Sequence, residues 1–414
     1  MSGIVLSAAV RQNLLSLQDT AALLSTTQNR LASGKKVNSA LDNPTNFFTA
    51  QGLDNRASDI SNLLDAVGNG VQVLQAANTG LTSLQQLVDT AKSIAEQVLQ
   101  TTPGYSVKAS ATSLAPTGAG PLAVPGTITD LTNAGTNSLN GKTFIFTPAS
   151  GPATTITVSS TVAAGNVNSI AAFNTALTNA GLGLTASLAS DGSIALTSNN
   201  DNASQTLTTG TTAAANNIAI SGTDTATLVT PTGGTAGAPL ADPNAQSTRA
   251  SLVSQYNNII AQITTTSQDS SFNGINLLNG DDLKLTFNET GTSTLSINGV
   301  TFDAAGLGLS PLVAGTDFLD NSSANAVIAK VTTASLQLRS EASALGSNLS
   351  IVQIRQDFAK NLINVLQTGS ANLTLADPNE EAANSQALST RQSIAVSALA
   401  LANQSQQSVL QLLR

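Results

Sequence analysis

Apolar residues recur at every seventh position along two stretches of this chain, and that spacing restricts its fold more than any other feature. Counting from Leu53, the sevens fall on Leu53, Ile60, Val67, Leu74, Leu81, Val88 and Ala95. A second row, offset by four, gives Ala57, Leu64 and Val71 before turning polar at Asn78. Far along the chain, Ala324, Val331, Leu338, Leu345, Val352, Ala359 and Leu366 repeat the pattern. With 41% hydrophobic residues, seven in one register arise by chance roughly two times in a thousand. Sustained sevens predict long helices that wind around each other with a left-handed supercoil.

Two shorter seams flank these rows. One is Val10, Leu17, Leu24 and Leu31, with Leu14 and Ala21 beside it. The other is Leu388, Ala395, Ala402 and Val409, with Ala398 and Leu412 beside it. A fifth helical segment is predicted over about 242–268. Asp242 is its N-cap and Pro243 its first turn, and Leu252, Tyr256, Ile259 and Ile263 share one side.

The middle of the chain is different material. Residues 101–241 are rich in Thr, Ala, Gly and Ser, and Pro at 103, 116, 121, 125, 148 and 152 argues against long helices there. Strands are expected over 142–147 and 154–160, a helix over about 168–180, and a hairpin over 184–190 and 193–200 turning at Asp191-Gly192. A further hairpin pairs 283–287 with 295–297. The predicted fold is mostly α: a long antiparallel coiled-coil rod formed by the N- and C-terminal regions, with β-hairpins and an inserted α+β outer domain. Three divisions follow: 1–33 with 376–414, 34–100 with 242–375, and the insert 101–241.

The helical stretches are interrupted once near each end. In "RLASGKKVNSALDNPTNFFTA" Gly34 terminates one helix, with Lys35 and Lys36 favourable at its negative end. Asn43 caps the next, with Pro44 in its first turn. Residues 34–43 are therefore a spoke between two rods. In "TGSANLTLADPNEE" Gly369 is expected to stop one helix, and Asp377-Pro378 with Glu380 and Glu381 to start another. Two symmetric breaks predict that the chain ends run side by side.

Composition narrows the chemistry. The chain has no Cys and no His, which removes thiolate nucleophiles and the commonest general base and metal ligand. Asp281-Asp282 and Glu380-Glu381 read as turn and helix-start residues rather than as an acid/base pair. No phosphate-binding loop of the Gly-rich, Lys-Ser/Thr type occurs. An enzyme is the least favoured class, and no cofactor or metal is expected. The net charge of −8 argues against nucleic acid or an anionic membrane as partner. No run approaches the ~20 apolar residues of a membrane span, and the first twenty residues lack the features of a cleaved secretory signal.

The terminal helices are nearly uncharged. Residues 1–33 carry only Arg11, Asp19 and Arg30, and residues 384–414 only Arg391 and Arg414. Soluble coiled coils usually line their seams with Glu and Lys. Neutral polar faces suit burial against further copies, where charges would cost desolvation energy. Few apolar side chains are available to offset the entropy of ordering these ends, so they are expected to become ordered only on assembly.

Residues 30–42 resemble the flagellin signature Arg-Leu-x-Ser-Gly-x-x-Ile/Val-Asn-Ser-Ala followed by Asp, matching at Arg30, Leu31, Ser33, Gly34, Val37, Asn38, Ser39, Ala40 and Asp42. Ala402-Asn403-Gln404 and 409–413 resemble the flagellin C-terminus, and 269–280 the segment after the third rod helix. The stretch running from "LNGKTFIFT" to "GSIALTSNN" resembles a small repeat inserted in flagellins and hook-associated proteins. The resemblance implies a filament subunit of the bacterial flagellum, exported unfolded by the flagellar type III apparatus, assisted by an export chaperone, and polymerised with other flagellin copies beneath a cap protein. Hook-associated proteins would be its neighbours. It also implies roles: Val10, Leu17, Leu24, Leu31, Leu388, Ala395, Ala402, Val409 and Leu412 in an inner assembly seam, and Arg30, Gly34, Asn38, Asp42 and Pro44 in the spoke. Leu53, Ile60, Val67, Leu74, Leu81, Val88, Val331, Leu338, Leu345, Val352 and Leu366 would form the rod seam.

Two departures from the family pattern stand out. Phe47 and Phe48 follow the spoke where many flagellins have small residues. Thr90 stands where flagellins sensed by the animal innate receptor carry an Arg, which implies weak or absent activation of that receptor. The rival readings are a hook–filament junction protein, which shares the terminal helices and the export route, and a secreted coiled-coil adhesin.

Overall fold

The computed structural model describes residues 8–113, 131–132, 139–161, 163, 165–189, 193–213, 217–222, 228–229 and 238–412. Long helices dominate both ends of the chain, and the middle is built from strands, as the sevens and the Pro-rich composition predict. In order, the helices are α1 (Ala8–Ser33), α2 (Pro44–Gln100), α3 (Ile170–Asn179), α4 (Pro243–Asp269), α5 (Asn321–Thr374) and α6 (Pro378–Leu412). The predicted Asp191-Gly192 turn lies outside the described residues.

Two compact units divide the chain. The first gathers three separate segments, Met1–Gln72, Leu283–Ile297 and Ser347–Arg414. In it, the early turns of α2 pack against the late turns of α5 through Ala57, Ile60, Ala359 and Leu366, flanked by Leu53, Leu64, Leu362 and Ile363. A hairpin, Leu283–Thr286 against Thr294–Ile297, pairs antiparallel in the register Leu283↔Ile297 and Leu285↔Leu295. Gly70 admits the Leu285 side chain where any Cβ would collide with it. Arg56 Nε donates to Glu289 Oε1 at 2.7 Å, and the Arg355 guanidinium lies 5.8 Å from the centre of the Phe287 ring.

Gly369 does not end a helix. α5 continues through it to Thr374. A glycine inside a helix costs about 1 kcal/mol relative to alanine, and here it brings α5 close to α2: a Cβ on Gly369 would stand 3.4 Å from Leu53 Cδ1. The break shrinks to three residues, Leu375, Ala376 and Asp377.

The second unit comprises Val73–Asp282 and Asn298–Gly346. Here α2 buries three rows instead of one: Leu74, Leu81, Val88 and Ala95; Ala77, Leu84, Ala91 and Val98; and Val73 with Ile94. A helix buried on that many rows has neighbours on two sides, whereas a single seam serves a simple pair. Gln85 Nε2 donates to Ser335 Oγ on α5 at 2.7 Å, and Gly80 admits Ser270 and Leu278 at the end of α4. Asp242 caps α4 through Oδ1, which accepts from the amides of Asn244 and Ala245 at 3.0 and 3.3 Å. Leu252, Tyr256 and Ile263 are buried on α4 as predicted, while Ile260 takes the buried place expected for Ile259.

The insert has one core shared by two sheets and α3. One sheet runs Leu228–Val229, Ser110–Ser113, Ile194–Ser198, Leu184–Leu188; the other runs Asn166–Val167, Thr154–Val158, Thr143–Pro148, Asn217–Ser221, Thr206–Thr209. Ser169 caps α3 by accepting from the Ala172 amide. Phe173 then stands edge-on to Phe144 and Phe146, with ring centres 5.2 and 6.3 Å apart. The strands at 206–209 and 217–221 join the predicted strand–strand–helix–hairpin unit. The first, Thr206–Thr209, has a single large apolar residue, Leu207, and the second, Asn217–Ser221, alternates only at Ile218 and Ile220.

Candidate assembly site

The two chain ends form one antiparallel helical pair. On α1 the least exposed positions are Val10, Asn13, Leu17, Thr20, Ala21, Leu24, Thr27 and Arg30; on α6 they are Glu381, Ser385, Leu388, Gln392, Ala395, Leu399 and Ala402. Spacings of three and four alternate along both helices, the geometry of a knobs-into-holes seam. Val10 is 3% exposed, and Leu17, Leu24, Leu388, Ala395 and Ala402 are half-buried. The side chains of Val409 and Leu412 lie outside the described residues. Polar residues, Asn13, Thr20 and Thr27 on α1 and Ser385 and Gln392 on α6, stand between apolar positions of this seam, while Ala395, Leu399 and Ala402 are apolar in succession.

Leu31 departs from the expected seam: it is 43% exposed. In the last turns of α1 the contact line steps by three, from Leu24 to Thr27 to Arg30, and so leaves the row of sevens that ends at Leu31. Arg30 Nη1 donates to Glu381 Oε1 at 3.4 Å. Leu14 and Ala398, expected beside the seams, are exposed because the second row is offset by three on α1 (Asn13, Thr20) where four was expected, and by four on α6 (Gln392, Leu399) where three was expected.

The pair leaves large apolar side chains uncovered. Leu15 and Leu23 on α1 are 62% and 56% exposed, and Ile394, Val396 and Leu401 on α6 are 63%, 52% and 67% exposed. These positions fall outside the seam on both helices, so the intramolecular contact cannot cover them.

The spoke closes the base of this pair. Gly34 takes φ +68° and ends α1, in the left-handed conformation that glycine adopts without penalty. Lys35 then bridges antiparallel to Leu375. The Lys36 amide donates to Thr374 O at 2.7 Å, and the Ala376 amide to Gly34 O at 3.0 Å. These bonds satisfy carbonyls that both helix ends leave open. Lys36 Nζ adds a bond to Asn372 O at 3.4 Å.

Asp42 organises the outer turn of the spoke. Its Oδ2 accepts from the amides of Asn38 and Ser39 at 2.9 and 2.8 Å and from Ser39 Oγ at 3.1 Å. The two amides hold the carboxyl below the ordinary range, with the Ser39 hydroxyl and the positive charge of Arg30 adding to them. Asn38 Nδ2 donates back to Lys35 O. The turn leaves Leu41 96% exposed. Asn43 Oδ1 caps α2 by accepting from the Asn46 amide, and Pro44 occupies the first turn. On the opposite strand of the spoke, Asp377 Oδ1 accepts from the Asn379 amide at 2.8 Å and starts α6.

Along the predicted rod seam, Ile60, Val67, Val352 and Leu366 are buried and Leu53 is half-buried in the first unit. Leu74, Leu81, Val88, Val331, Leu338 and Leu345 are buried in the second. The carboxylate pairs do structural work: Asp281 Oδ2 accepts from the Asn276 amide and Asp282 Oδ1 from the Gly299 amide. Thr90 is exposed on α2, its hydroxyl returned to Gln86 O.

The sequence reading missed Arg249, the largest fully buried side chain among the described residues. Its guanidinium donates to Phe318 O at 3.0 Å, Thr102 O at 3.3 Å and Asn321 Oδ1 at 3.3 Å. Burial lowers its pKa, and the nearby Asp320 carboxylate opposes that shift. Asp320 in turn accepts from Ser204 and from the Ser323 amide, which ties the insert to the start of α5. Arg249 stands three residues before Leu252 and seven before Tyr256, on the apolar side of α4; that placement was the available signal.

These features define a class of protein: a chain whose two helical ends pair with each other and whose middle folds into strands. Residues 5–115 match the bacterial flagellin N-terminal helical region and residues 328–413 the bacterial flagellin C-terminal helical region. Flagellin FljM of Caulobacter vibrioides is 32% identical over 165 residues, which is 39% of this chain and 59% of that protein. Flagellin A of Rhizobium meliloti is 39% identical over 90 residues, 22% of this chain and 23% of that one. The flagellin of Brucella melitensis is 28% identical over 174 residues, covering 39% and 61% of the two chains. Both ends of the chain are thus similar to the terminal helical regions of bacterial flagellins. The match of the chain spans 59% of the length of the Caulobacter relatives.

Proposed function

We propose that the chain is a structural subunit that polymerises with other flagellin copies into an extracellular bacterial flagellar filament used for swimming. The observation that carries this reading is the uncovered apolar surface of the α1–α6 pair, with Leu15, Leu23, Ile394, Val396 and Leu401 each more than half exposed. Several large apolar side chains left exposed on the paired chain ends point to an interface, and the near absence of charge there makes its burial inexpensive. Val10, Leu17, Leu24, Leu388, Ala395 and Ala402 hold the arms together within one copy. The exposed residues then join neighbouring copies.

The likeness to bacterial flagellins supports the rest of the reading. The subunit leaves the cell through the flagellar type III export apparatus, with an export chaperone covering its arms beforehand. It is added beneath a cap protein beyond the hook-associated proteins. Nucleic acid and membrane have no part in this scheme, and among the described residues no helix is long and apolar enough to cross a membrane. The role is mechanical, without catalysis or a cofactor.

The test is seeded polymerisation of the purified chain followed by electron microscopy. Long filaments growing from short seeds are expected. A single added layer that blocks further growth would instead identify a hook–filament junction protein. Binding to host cells without growth would identify an adhesin.

A further inference from the structure

Where the insert meets the start of α5, the second unit holds an open cleft of about 360 Å³. Residues of 148–150, 202–205 and 217 form one wall, and residues of 316–326 form the other. The two walls are fixed to each other. The Ser322 amide donates to Asp201 O at 2.8 Å, and Asn321 Nδ2 donates to Asp201 Oδ1 at 3.1 Å. The cleft is therefore formed in advance, as small-molecule sites usually are, and it lies at the lower end of their ~300–1,000 Å³ range.

The lining selects the chemistry of an occupant. Among the described residues no Lys or Arg lines the cleft, so an anion finds no counter-charge. Asp320 is the one carboxylate there, and both its oxygens are used. Oδ2 accepts from the Ser204 amide and hydroxyl, and Oδ1 accepts from the Ser323 amide. A cation therefore finds no open ligand. The remaining polar groups are neutral: the amides of Asn202, Gln205 and Asn217 and the hydroxyls of Ser150, Thr316 and Ser322. Such a set offers donors and acceptors side by side, which suits a ligand carrying several hydroxyls.

The three amides are held in place by their surroundings. Thr208 Oγ1 donates to Asn217 Oδ1 at 3.0 Å, which orients that amide and leaves Nδ2 without a partner among the described residues. Gly183 adopts φ +62°, and any Cβ on it would collide with Asn202 Nδ2, so the Asn202 amide lies across a bare backbone. Gln205 Oε1 is shielded from solvent and accepts no hydrogen bond. A shielded acceptor without a donor is unfavourable and calls for one. The terminal torsion of Gln is soft, so this amide can turn to meet a donor in the cleft.

We infer that the cleft binds one neutral sugar ring, with one hydroxyl donating to Gln205 Oε1 and another accepting from Asn217 Nδ2. The ligand touches both walls, so it braces the insert against the start of α5. The site acts within a single subunit and does not rest on the filament reading.

Saturation-transfer NMR on the purified full chain, with glucose, galactose and mannose in turn, tests the site. Saturable transfer to at least one sugar is expected, with slower amide exchange over 202–205 and 320–323. Gln205→Leu and Asn217→Leu each weaken that binding about tenfold, with circular dichroism and melting unchanged. Gln262→Leu, at an exposed position of α4, has no effect. Glucuronate and glucosamine, which carry charge, bind no better than the neutral sugar. No transfer to any of the three sugars would leave the cleft to water and overturn the assignment. Undiminished transfer in both leucine variants would put the binding elsewhere on the chain and overturn it too. Tighter binding of either charged sugar would refute the neutral character assigned to the ligand.

Discussion

Arg30 and Glu381 meet at 3.4 Å across 351 positions of sequence. The pair sits where the two chain ends come together and replaces the leucine contact that the sevens led one to expect. The Glu381 side chain is 10% exposed and that of Arg30 is 39% exposed. Partial exposure limits the pair to about 1 kcal/mol. Arg30→Ala or Glu381→Ala is expected to speed amide exchange in the last turn of α1 and the first of α6. The charge-swapped double variant Arg30→Glu/Glu381→Arg recovers part of the loss.

Asp42 gives the spoke a defined pH response. Its folded pKa is lowered by the Asn38 and Ser39 amides. A lowered carboxyl contributes stability that is fully present above its unfolded pKa of about 3.9 and is lost as pH falls through the folded value. At neutral pH, Asp42→Asn should loosen the 34–43 turn, seen as faster exchange of the Asn38 and Ser39 amides. The difference between variant and parent should narrow steadily below pH ~4. A difference independent of pH would mean that the turn does not depend on the carboxylate.

Arg249→Ala removes three carbonyl partners at once and strips Asp320 of its buried counter-charge. Breaking such a buried network costs about 3–5 kcal/mol. Urea unfolding of the second unit should shift to lower denaturant by that amount. Arg249→Met, which keeps the packing volume without the charge, should recover only the packing part. The double variant Arg249→Met/Asp320→Asn should be more stable than Arg249→Met alone.

Amides of 8–33 and 378–412 should exchange within seconds in the free subunit and become protected in polymers. Their seam is narrow and carries polar residues between its apolar positions, so local opening is inexpensive. Equal protection in both states would show that the arms are stable without assembly.

Purified subunit should activate the animal innate flagellin receptor weakly or not at all, if Thr90, exposed on α2, stands where the resemblance leads one to expect Arg. A cell reporter assay comparing the chain with Thr90→Arg checks this, with a stronger response expected from the variant.

How much of this was legible in the sequence depended on whether a single local rule governed each element. Periodic apolar rows revealed α2 and α5, because heptad spacing survives over many turns. Asp242, Asn43 and Asp377 announced their helix starts, since a cap needs only one side chain and a nearby amide. Gly369 misled because its consequence lies across space, at Leu53, and not along the chain. Leu31 misled because the contact line steps by threes at the end of α1, through Thr27 to Arg30, and abandons the row of sevens. Arg249 stayed hidden because its partners, Thr102, Phe318 and Asn321, come from distant parts of the chain, and a lone Arg in a helix usually faces water.

The first unit takes its pieces from Met1–Gln72, Leu283–Ile297 and Ser347–Arg414. Ala57 packs beside Leu366, and Arg30 waits for Glu381. On the ribosome, therefore, the opening segment meets its first partners in this unit only with Leu283–Ile297 and the rest only with Ser347–Arg414. Contacts so far apart in sequence also form slowly once both halves exist. Translation order thus leaves the newly made chain a long interval as a threadable strand before this unit can close.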